Sequence, residues 1–222
     1  MSDIYSLEIT EKFLRRYCDL EKALQDEDCK RVLNRYSNRI KDIKEIRNIA
    51  THQSKEGNRP FIISKYLLDE LEDILSKIDV KCIQIGVRKS NIAFVKKEDR
   101  LSKAIKTMAE NNYTFLPILD NNSVLIGVIS ETAIVNVINK YNGEFIYDET
   151  VKVEENLEDF LISNNPNEFY LFCSRDDYLD DIQAQIEKGK PGKRFGACFV
   201  TENGNKREAV LSMFTVWDLL PR

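Results

Sequence analysis

Apolar residues recur every three or four positions through the first third of the chain, which is the spacing of helices that bury one face. The pattern predicts helices at residues 6–24, at 30–36, around Arg47, and after an N-cap at Ser64. Residues 53–60 are polar, include glycine and proline, and are predicted to be a loop. Residues 1–78 are therefore interpreted as an all-α helical bundle.

At Asp79 the pattern changes to short β-rich runs, and one order of elements then occurs twice. Each copy is predicted to run strand, helix, strand, strand, helix. The first copy covers about residues 80–140, an acidic connector about 141–168, and the second copy about 169–222. The predicted fold class is α+β with two domains, residues 1–78 and 79–222.

Composition and charge narrow the range of partners. The net charge of −4 and the pI near 5.3 argue against binding of duplex DNA, which requires a basic face. No apolar run approaches the roughly 20 residues of a membrane span, so we expect no membrane partner and a cytoplasmic protein. The five cysteines are scattered, which favours buried reduced thiols over a disulfide framework or a zinc site, and no metal is predicted.

The only histidine of the chain, His52, follows Arg47 by five positions near the end of the third predicted helix. Arg47, Asn48 and His52 match the motif of the HEPN family in order and spacing, and the surrounding helices resemble that family over about the first third of the chain. The resemblance implies a metal-independent ribonuclease that acts as a homodimer, although other members keep the fold without catalysis. In a structural alternative, Arg47 interacts with the negative end of the helix dipole and His52 caps the last carbonyl groups.

Cleavage of RNA without a metal needs a base for the 2′-hydroxyl group, an acid for the leaving oxygen, and positive charge at the phosphorane. Histidine can carry out both proton transfers near pH 7. Because one chain has one histidine, two copies of His52 in a dimer would serve as acid and base. An exposed Arg47 would bind the phosphate, and Asn48 would orient the sugar or the imidazole. In this hypothesis activity requires dimerisation.

The repeated order of elements over about residues 80–222 resembles a tandem pair of CBS domains. The resemblance implies two units packed into a pseudo-symmetric disc, with clefts that take an adenine nucleotide. It also implies a binding turn with Thr or Ser first and Asp three residues later, which Thr215 and Asp218 match in the second copy. The corresponding turn of the first copy begins at Ser130 but ends at Ala133, which has no carboxylate to hold a ribose.

The chemistry of this turn can be stated without the family. A hydroxyl group and free N–H groups at a helix N-terminus suit a phosphate, and a carboxylate accepts two hydrogen bonds from a ribose diol. The same pattern is also typical of a helix cap, so both roles stay open. Arg194 ends a basic stretch that is either placed to reach phosphates or forms a solvated turn. The predicted nucleotide-binding residues are Thr215, Asp218, Ser130 and Arg194.

These patterns lead to competing hypotheses of function. In the first, the chain is a nucleotide-regulated ribonuclease and the CBS pair acts as its switch. In the second, it is a non-catalytic nucleotide-sensing protein whose helical domain only dimerises or docks a partner. In a third, the helical domain inhibits a toxin encoded elsewhere. The turns predict one adenine nucleotide per chain.

Overall fold

The computed structural model describes residues 2–55, 62–140 and 150–219 of the chain, and the side chains of residues 2–6 and 52–55 are outside that description. The chain divides into two compact units. Unit 1 consists of Met1–Lys81 and Tyr178–Gln183, and unit 2 consists of Cys82–Asp177 and Ala184–Arg222. The second segment of unit 1 comes from the predicted second copy, which no local pattern indicates.

Unit 1 is built from helices, and two of them begin with a capping side chain. Its helices are α1 (Ser2–Ala23), α2 (Glu27–Leu33), α3 (Ser37–Lys55) and α4 (Lys65–Ser76). Asp26 accepts a hydrogen bond from the Cys29 amide at 2.9 Å at the start of α2. Ser64 accepts one from the Leu67 amide at 3.3 Å, which confirms the predicted N-cap of α4. Fully buried side chains of the core include Phe13, Leu20, Leu33, Ile43, Ile63, Leu71 and Ile74.

Helix α3 is longer than the sequence pattern predicts. The predicted loop at residues 53–60 is wrong for residues 53–55, because α3 continues to Lys55. Gln53 and Lys55 are good helix formers, and the first glycine after them is Gly57. The backbone of His52 therefore lies inside the helix rather than where it gives way to a loop. Residues 56–61 lie outside the described residues.

Charged and polar contacts join the second segment of unit 1 to the first. Arg35 forms ion pairs with Asp180 and Asp181, the latter at 2.6 Å. The Tyr36 hydroxyl donates to Asp180 at 2.7 Å, and burial together with this hydrogen bond raises the pKa of Tyr36 to about 12. Both carboxylates lie in the first turn of α8 (Leu179–Lys188), where negative charge also interacts favourably with the helix dipole.

Strands and helices alternate through unit 2. The strands are β1 (Val87–Arg88), β2 (Phe115–Leu119), β3 (Leu125–Ser130), β4 (Glu168–Ser174), β5 (Arg194–Thr201) and β6 (Ser212–Phe214). The helices are α5 (Leu101–Asn111), α6 (Glu131–Lys140), α7 (Leu157–Phe160), the C-terminal part of α8, and α9 (Val216–Leu219). One sheet has the order β1-β6-β5-β4, with β4 and β5 parallel and the other pairs antiparallel, while β2 pairs with β3 in an antiparallel ladder. The described chain therefore mixes helices and strands.

The first strand of the repeat differs from the prediction. In the first copy, the predicted strand near Val95 is wrong, because the structure has there an isolated bridge from Val95 to Ile118. An earlier strand, β1, pairs instead with β6, with Val87 opposite Met213. Gly86 allows the close approach, since its φ is +75° and a Cβ there would lie 2.1 Å from the Met213 carbonyl oxygen. This pairing joins the start of the first copy to β6 near the end of the chain.

Two apolar clusters fill unit 2. One gathers side chains of α5, β2, β3, α6 and α7 around the fully buried Phe160. The other joins strands of both copies and includes Leu119, Val128, Tyr170 and Phe199. Because the second cluster draws on β2, β3, β4 and β5, the strands before and after the acidic connector share one core.

The cysteines match the predicted buried thiols only in part. Cys82, Cys173 and Cys198 are buried, and the sulfur atoms of Cys173 and Cys198 lie 3.4 Å apart. Cys29 is half-buried and Cys18 is exposed, so the expectation is wrong for these two. An exposed position on an amphipathic helix such as α1 does not require a hydrophobic side chain, which is why scattered spacing alone does not predict burial.

Candidate functional site

The residues of the turn that best matches the nucleotide motif form hydrogen bonds with one another. The Asp218 carboxylate accepts hydrogen bonds from the Thr215 amide at 2.9 Å and from the Thr215 hydroxyl at 3.1 Å. The Thr215 oxygen accepts a hydrogen bond from the Trp217 amide at 3.2 Å. These are the reciprocal contacts of a capping box at the start of α9. The geometry at this turn therefore favours the helix-cap alternative.

The corresponding turn of the first copy is part of the core. Ser130 is 1% exposed, and its hydroxyl oxygen accepts a hydrogen bond from the Ala133 amide at 3.2 Å, which caps α6. Ala133 is also buried, and its methyl group belongs to the apolar cluster around Phe160. Ser130 is therefore buried and already bonded to its own helix, so it is not open to a ligand in this structure.

Arg194, the remaining predicted nucleotide-binding residue, pairs with a buried carboxylate. Glu168 at the start of β4 lies opposite Arg194 at the start of β5. The side chain of Glu168 is 5% exposed. One Glu168 oxygen accepts hydrogen bonds from the Arg194 guanidinium at 2.6 and 3.0 Å and from the Thr132 hydroxyl at 2.9 Å. The other accepts from the Tyr170 hydroxyl at 2.7 Å and from the Asn165 side-chain amide at 3.1 Å. We call Glu168, Arg194, Thr132, Tyr170 and Asn165 the Glu168 cluster.

The Glu168 cluster stabilises its carboxylate in the charged form. Burial alone raises the pKa of Glu168, but hydrogen bonds from Tyr170, Arg194, Ser130 and Thr132 outweigh it, so the pKa is lowered from its ordinary value. Burial and the hydrogen bond to Glu168 raise the pKa of Tyr170. The Ser130 hydroxyl lies 3.5 Å from that of Thr132, and Arg194 donates to Thr132 at 3.0 Å. The structure thus brings Ser130 and Arg194 to one cluster, where both have protein partners.

The Tyr170 ring also lines a cleft with a volume of about 560 Å³, which is within the range of about 300 to 1,000 Å³ that is common for small-molecule sites. We call it the aromatic cleft. Its walls combine apolar side chains, two aromatic rings from β4 and three cationic side chains, and these residues are Val124, Leu125, Ile126, Leu161, Ile162, Ser163, Tyr170, Phe172, Lys190, Lys206 and Arg207. Its lining includes none of the four predicted nucleotide-binding residues. Rings suit the flat face of a base and cations suit phosphates, so the cleft combines both kinds of contact.

A second, smaller opening lies near β1, β2 and β6. It has a volume of about 100 Å³, and its lining residues are Val87, Asn91, Ile92, Ala93, Tyr113, Phe115, Leu116, Pro117 and Met213. We call it the apolar pocket. Met213 precedes the 215–218 turn by two residues, so this opening is the one next to the matched motif. Its volume is well below that of a common small-molecule site, and its lining has no charged residue.

In unit 1, the motif residues Arg47 and Asn48 contact each other, with 3.1 Å between Arg47 Nη1 and Asn48 Oδ1. The Arg47 guanidinium lies 5.0 Å from the centroid of the Tyr17 ring and 3.8 Å from the Glu21 carboxylate. Its side chain is 31% exposed, so the expectation of an exposed guanidinium is wrong, because the ring of Tyr17 covers part of it. The side chain of His52 lies outside the described residues.

The sequence interpretation missed the residues that line the aromatic cleft and those that surround Glu168. One signal was available: Glu168 opens a strand that continues with Phe169, Tyr170, Leu171 and Phe172, and a carboxylate in an apolar strand usually has a buried partner. The cations of the cleft come from two separate loops, and no local pattern indicates that these loops approach the same strand.

Comparison with known proteins identifies one region of the chain. Residues 83–140 match the family model described as CBS domain. These residues form a CBS domain. The comparison with curated proteins gave no match. In the part of the chain that the structure describes, no helix has both the length and the apolar character that a membrane crossing needs.

Solved structures of proteins with CBS domains are among those that resemble this chain. A hemolysin-like protein containing a CBS domain from Oenococcus oeni PSU has 14% identity and a TM-score of 0.46, and the match covers 67% of this chain and 93% of that one. CBSX2 in complex with AMP has 17% identity and a TM-score of 0.45, with 63% and 92% covered. CbpB in complex with c-di-AMP has 11% identity and a TM-score of 0.49, with 67% and 87% covered. At these scores the likenesses add no argument about the ligand of this chain.

Proposed function

We propose that the chain is a nucleotide-sensing regulatory protein in which unit 2 binds an adenine nucleotide and unit 1 dimerises or docks a partner. The observation that carries the proposal is the aromatic cleft, where the half-buried Phe172 ring provides a face for a base, the largely buried Tyr170 ring forms part of the wall, and cationic side chains lie beside them. A ligand that binds one conformation of the protein better than another shifts the equilibrium between them by the difference in affinity, and this shift is sufficient for regulation.

A second CBS copy at about residues 169–222 is part of this proposal. The order β4, α8, β5, β6, α9 repeats the order of the first copy from its bridging segment through α5, β2, β3 and α6. The shared core of Leu119, Val128, Tyr170 and Phe199 is what two copies packed through their strands require. The aromatic cleft is lined by β3 of one copy and β4 of the other.

Isothermal titration calorimetry of the full chain tests the proposal. We expect AMP, ADP or ATP to bind with one molecule per chain, because the aromatic cleft combines aromatic rings with cationic side chains, whereas the apolar pocket beside the motif turn is small and uncharged. An absence of binding by all three and by an S-adenosyl compound at millimolar concentration would refute the proposed function. A stoichiometry of two per chain would show that a second opening of the protein also takes a ligand.

The proposed output of unit 1 is assembly as a homodimer. Large apolar side chains of this unit are well exposed, including Ile49, Ile62 and Tyr66, with Tyr66 at 72%. Exposed apolar groups of this size favour a protein partner when they form a patch. Light scattering at micromolar concentration should give the mass of a dimer. A monomer both with and without nucleotide would exclude dimerisation and leave docking of a different partner.

A further inference from the structure

The charge of the aromatic cleft is unusual for this chain. The protein has a net charge of −4, yet the lining of the cleft includes Lys190, Lys206 and Arg207 and no Asp or Glu among the described residues. Several cationic side chains that line one opening create a positive electrostatic potential there, and this potential attracts an anion with several charges. The cleft therefore favours ligands with several negative charges over neutral or cationic ones.

Lys190 is positioned by a tight turn. Lys190 and Lys193 form an antiparallel bridge across Pro191 and Gly192, and the Lys193 amide donates to the Lys190 carbonyl at 3.0 Å. Proline followed by a glycine with positive φ is typical of a type II turn, and Gly192 has a φ of +71°. The Lys193 ammonium donates to the Asn165 carbonyl at 2.6 Å, which fastens the turn to the segment before β4. Lys190 is therefore carried by an ordered turn.

Lys206 and Arg207 lie on a second ordered loop. The Glu208 carboxylate accepts hydrogen bonds from the Asn203 amide at 2.8 Å and from the Asn203 side chain at 2.9 Å, which closes the loop around the two cations. These hydrogen bonds lower the pKa of Glu208, so this acid stays charged but is already bound to Asn203. The Arg207 amide donates to the Asn205 side chain at 3.0 Å. The loop therefore presents both cations from a fixed backbone.

We infer that the aromatic cleft selects a nucleoside polyphosphate, with the base against the half-buried Phe172 ring and the phosphates between the two cationic loops. Lys206 and Arg207 are the residues that determine this specificity. The inference rests on the proposed function, since it assigns the class of ligand to the same cleft. It also excludes S-adenosyl compounds, because their sulfonium and amino groups add positive charge where three cations already converge.

Calorimetry of the full chain with EDTA tests the inference, with AMP, ADP, ATP, S-adenosylmethionine and inorganic tripolyphosphate as probes. We expect affinity to rise about five- to tenfold with each added phosphate, since each places a charge within a few ångströms of a cation. Rising potassium chloride should weaken ATP binding more than AMP binding. The double variant Lys206→Ala, Arg207→Ala should bind ATP no better than AMP, with AMP affinity changed by less than about twofold.

The matched control is Lys103→Ala, Lys106→Ala, which removes two exposed lysines of α5 that do not line the cleft. It should leave the order of affinities unchanged. Equal binding of AMP and ATP, or binding of S-adenosylmethionine as tight as that of ATP, would overturn the inference and leave nucleotide sensing intact. Tripolyphosphate that binds as tightly as ATP would show an anion patch without a base site. If none of the nucleotides binds, both the inference and the proposed function fail.

Discussion

Two openings of unit 2, the apolar pocket and the aromatic cleft, differ in volume, in charge and in whether they lie next to the predicted nucleotide motif. The apolar pocket lies next to the intact Thr215 and Asp218 turn, but its volume is about 100 Å³ and its lining has no charge. The aromatic cleft has about 560 Å³, two aromatic rings and three cations, and none of the motif residues lines it. The larger volume and the cationic side chains are therefore found in an opening that the motif residues do not line.

The difference shows that the residues of a short polar pattern can form hydrogen bonds with one another instead of binding a ligand. The amide and the hydroxyl group of Thr215 both donate to one oxygen of the Asp218 carboxylate, so these donors are not offered to a phosphate. In the aromatic cleft, the Tyr170 hydroxyl is bound to Glu168 while the ring lines the opening. The Glu168 cluster therefore positions the Tyr170 ring at the wall of the cleft, and the other members of the cluster do not line the opening.

The largest expected effect is on stability, from Glu168→Ala. We expect a loss of about 2 to 3 kcal/mol in the free energy of unfolding, because the change leaves buried hydrogen-bond donors unpaired. It also breaks the ion pair with Arg194, which contributes less because the Arg194 side chain is exposed to solvent. Urea denaturation measures it. The control Glu110→Ala removes an exposed acid that is 3.7 Å from Lys106, and it should cost under about 0.5 kcal/mol. An equal loss in both variants would show that the cluster contributes no more than a surface pair.

The contribution of Glu168 to stability should decrease at acidic pH. Because hydrogen bonds lower the pKa of Glu168 in the folded protein, its contribution to stability is complete above the ordinary value of 4.5. It is lost as pH falls from there through the lower pKa of the folded state. Acid titrations of stability should be less steep for Glu168→Gln than for the wild type, and identical slopes would contradict the assignment.

Removal of a ring should affect the two openings unequally. Phe172→Ala should weaken nucleotide binding by about 2 kcal/mol, or roughly thirtyfold, if the ring stacks on the base. Tyr113→Ala removes the corresponding ring from the apolar pocket and should change affinity by less than about twofold. Phe172 also packs on Phe199 with ring centroids 5.7 Å apart, so Phe172→Leu serves as the variant that keeps the packing. A larger loss in Tyr113→Ala would reverse the assignment of the openings.

The motif turn should respond in stability and not in affinity. Asp218→Ala should cost about 1 kcal/mol through loss of the cap on α9. Asp218→Asn keeps an acceptor oxygen and should cost less. Trp217, the only tryptophan of the chain, lies in α9 and reports local opening through its fluorescence. A tenfold loss of nucleotide affinity in Asp218→Ala would return the binding site to this turn.

The smallest expected effect is in unit 1, where Arg47→Ala should lower the free energy of unfolding by about 0.5 to 1 kcal/mol through loss of the contact with Tyr17.

If the protein is a sensor, the wild type should not cut single-stranded RNA in EDTA under any nucleotide condition. The ribonuclease hypothesis stays a prediction with the opposite outcome, in which cleavage yields cyclic phosphate or 3′-phosphate ends and His52→Ala abolishes it. Gel analysis of the RNA products distinguishes the two hypotheses.

Sequence patterns predicted the elements better than their long-range partners. The Ser64 cap and the helices after Leu101 and Leu179 follow from local spacing and agree with the structure. Local spacing cannot show that Val87 pairs with Met213, nor that Lys190 and Lys206 line one opening. The continuation of α3 past His52 was missed because polar residues were interpreted as a loop although they are good helix formers.

The central claim is that an adenine nucleotide binds in the aromatic cleft. Photo-crosslinking with ATP that carries an azide on the base, followed by mass spectrometry of the peptides, tests this most directly. The account predicts labelling of the peptides that contain Tyr170 and Phe172 or Ile162, with competition by unmodified ATP. Labelling confined to the peptides with Tyr113 or Trp217 would contradict it and place the base at the apolar pocket and its motif turn.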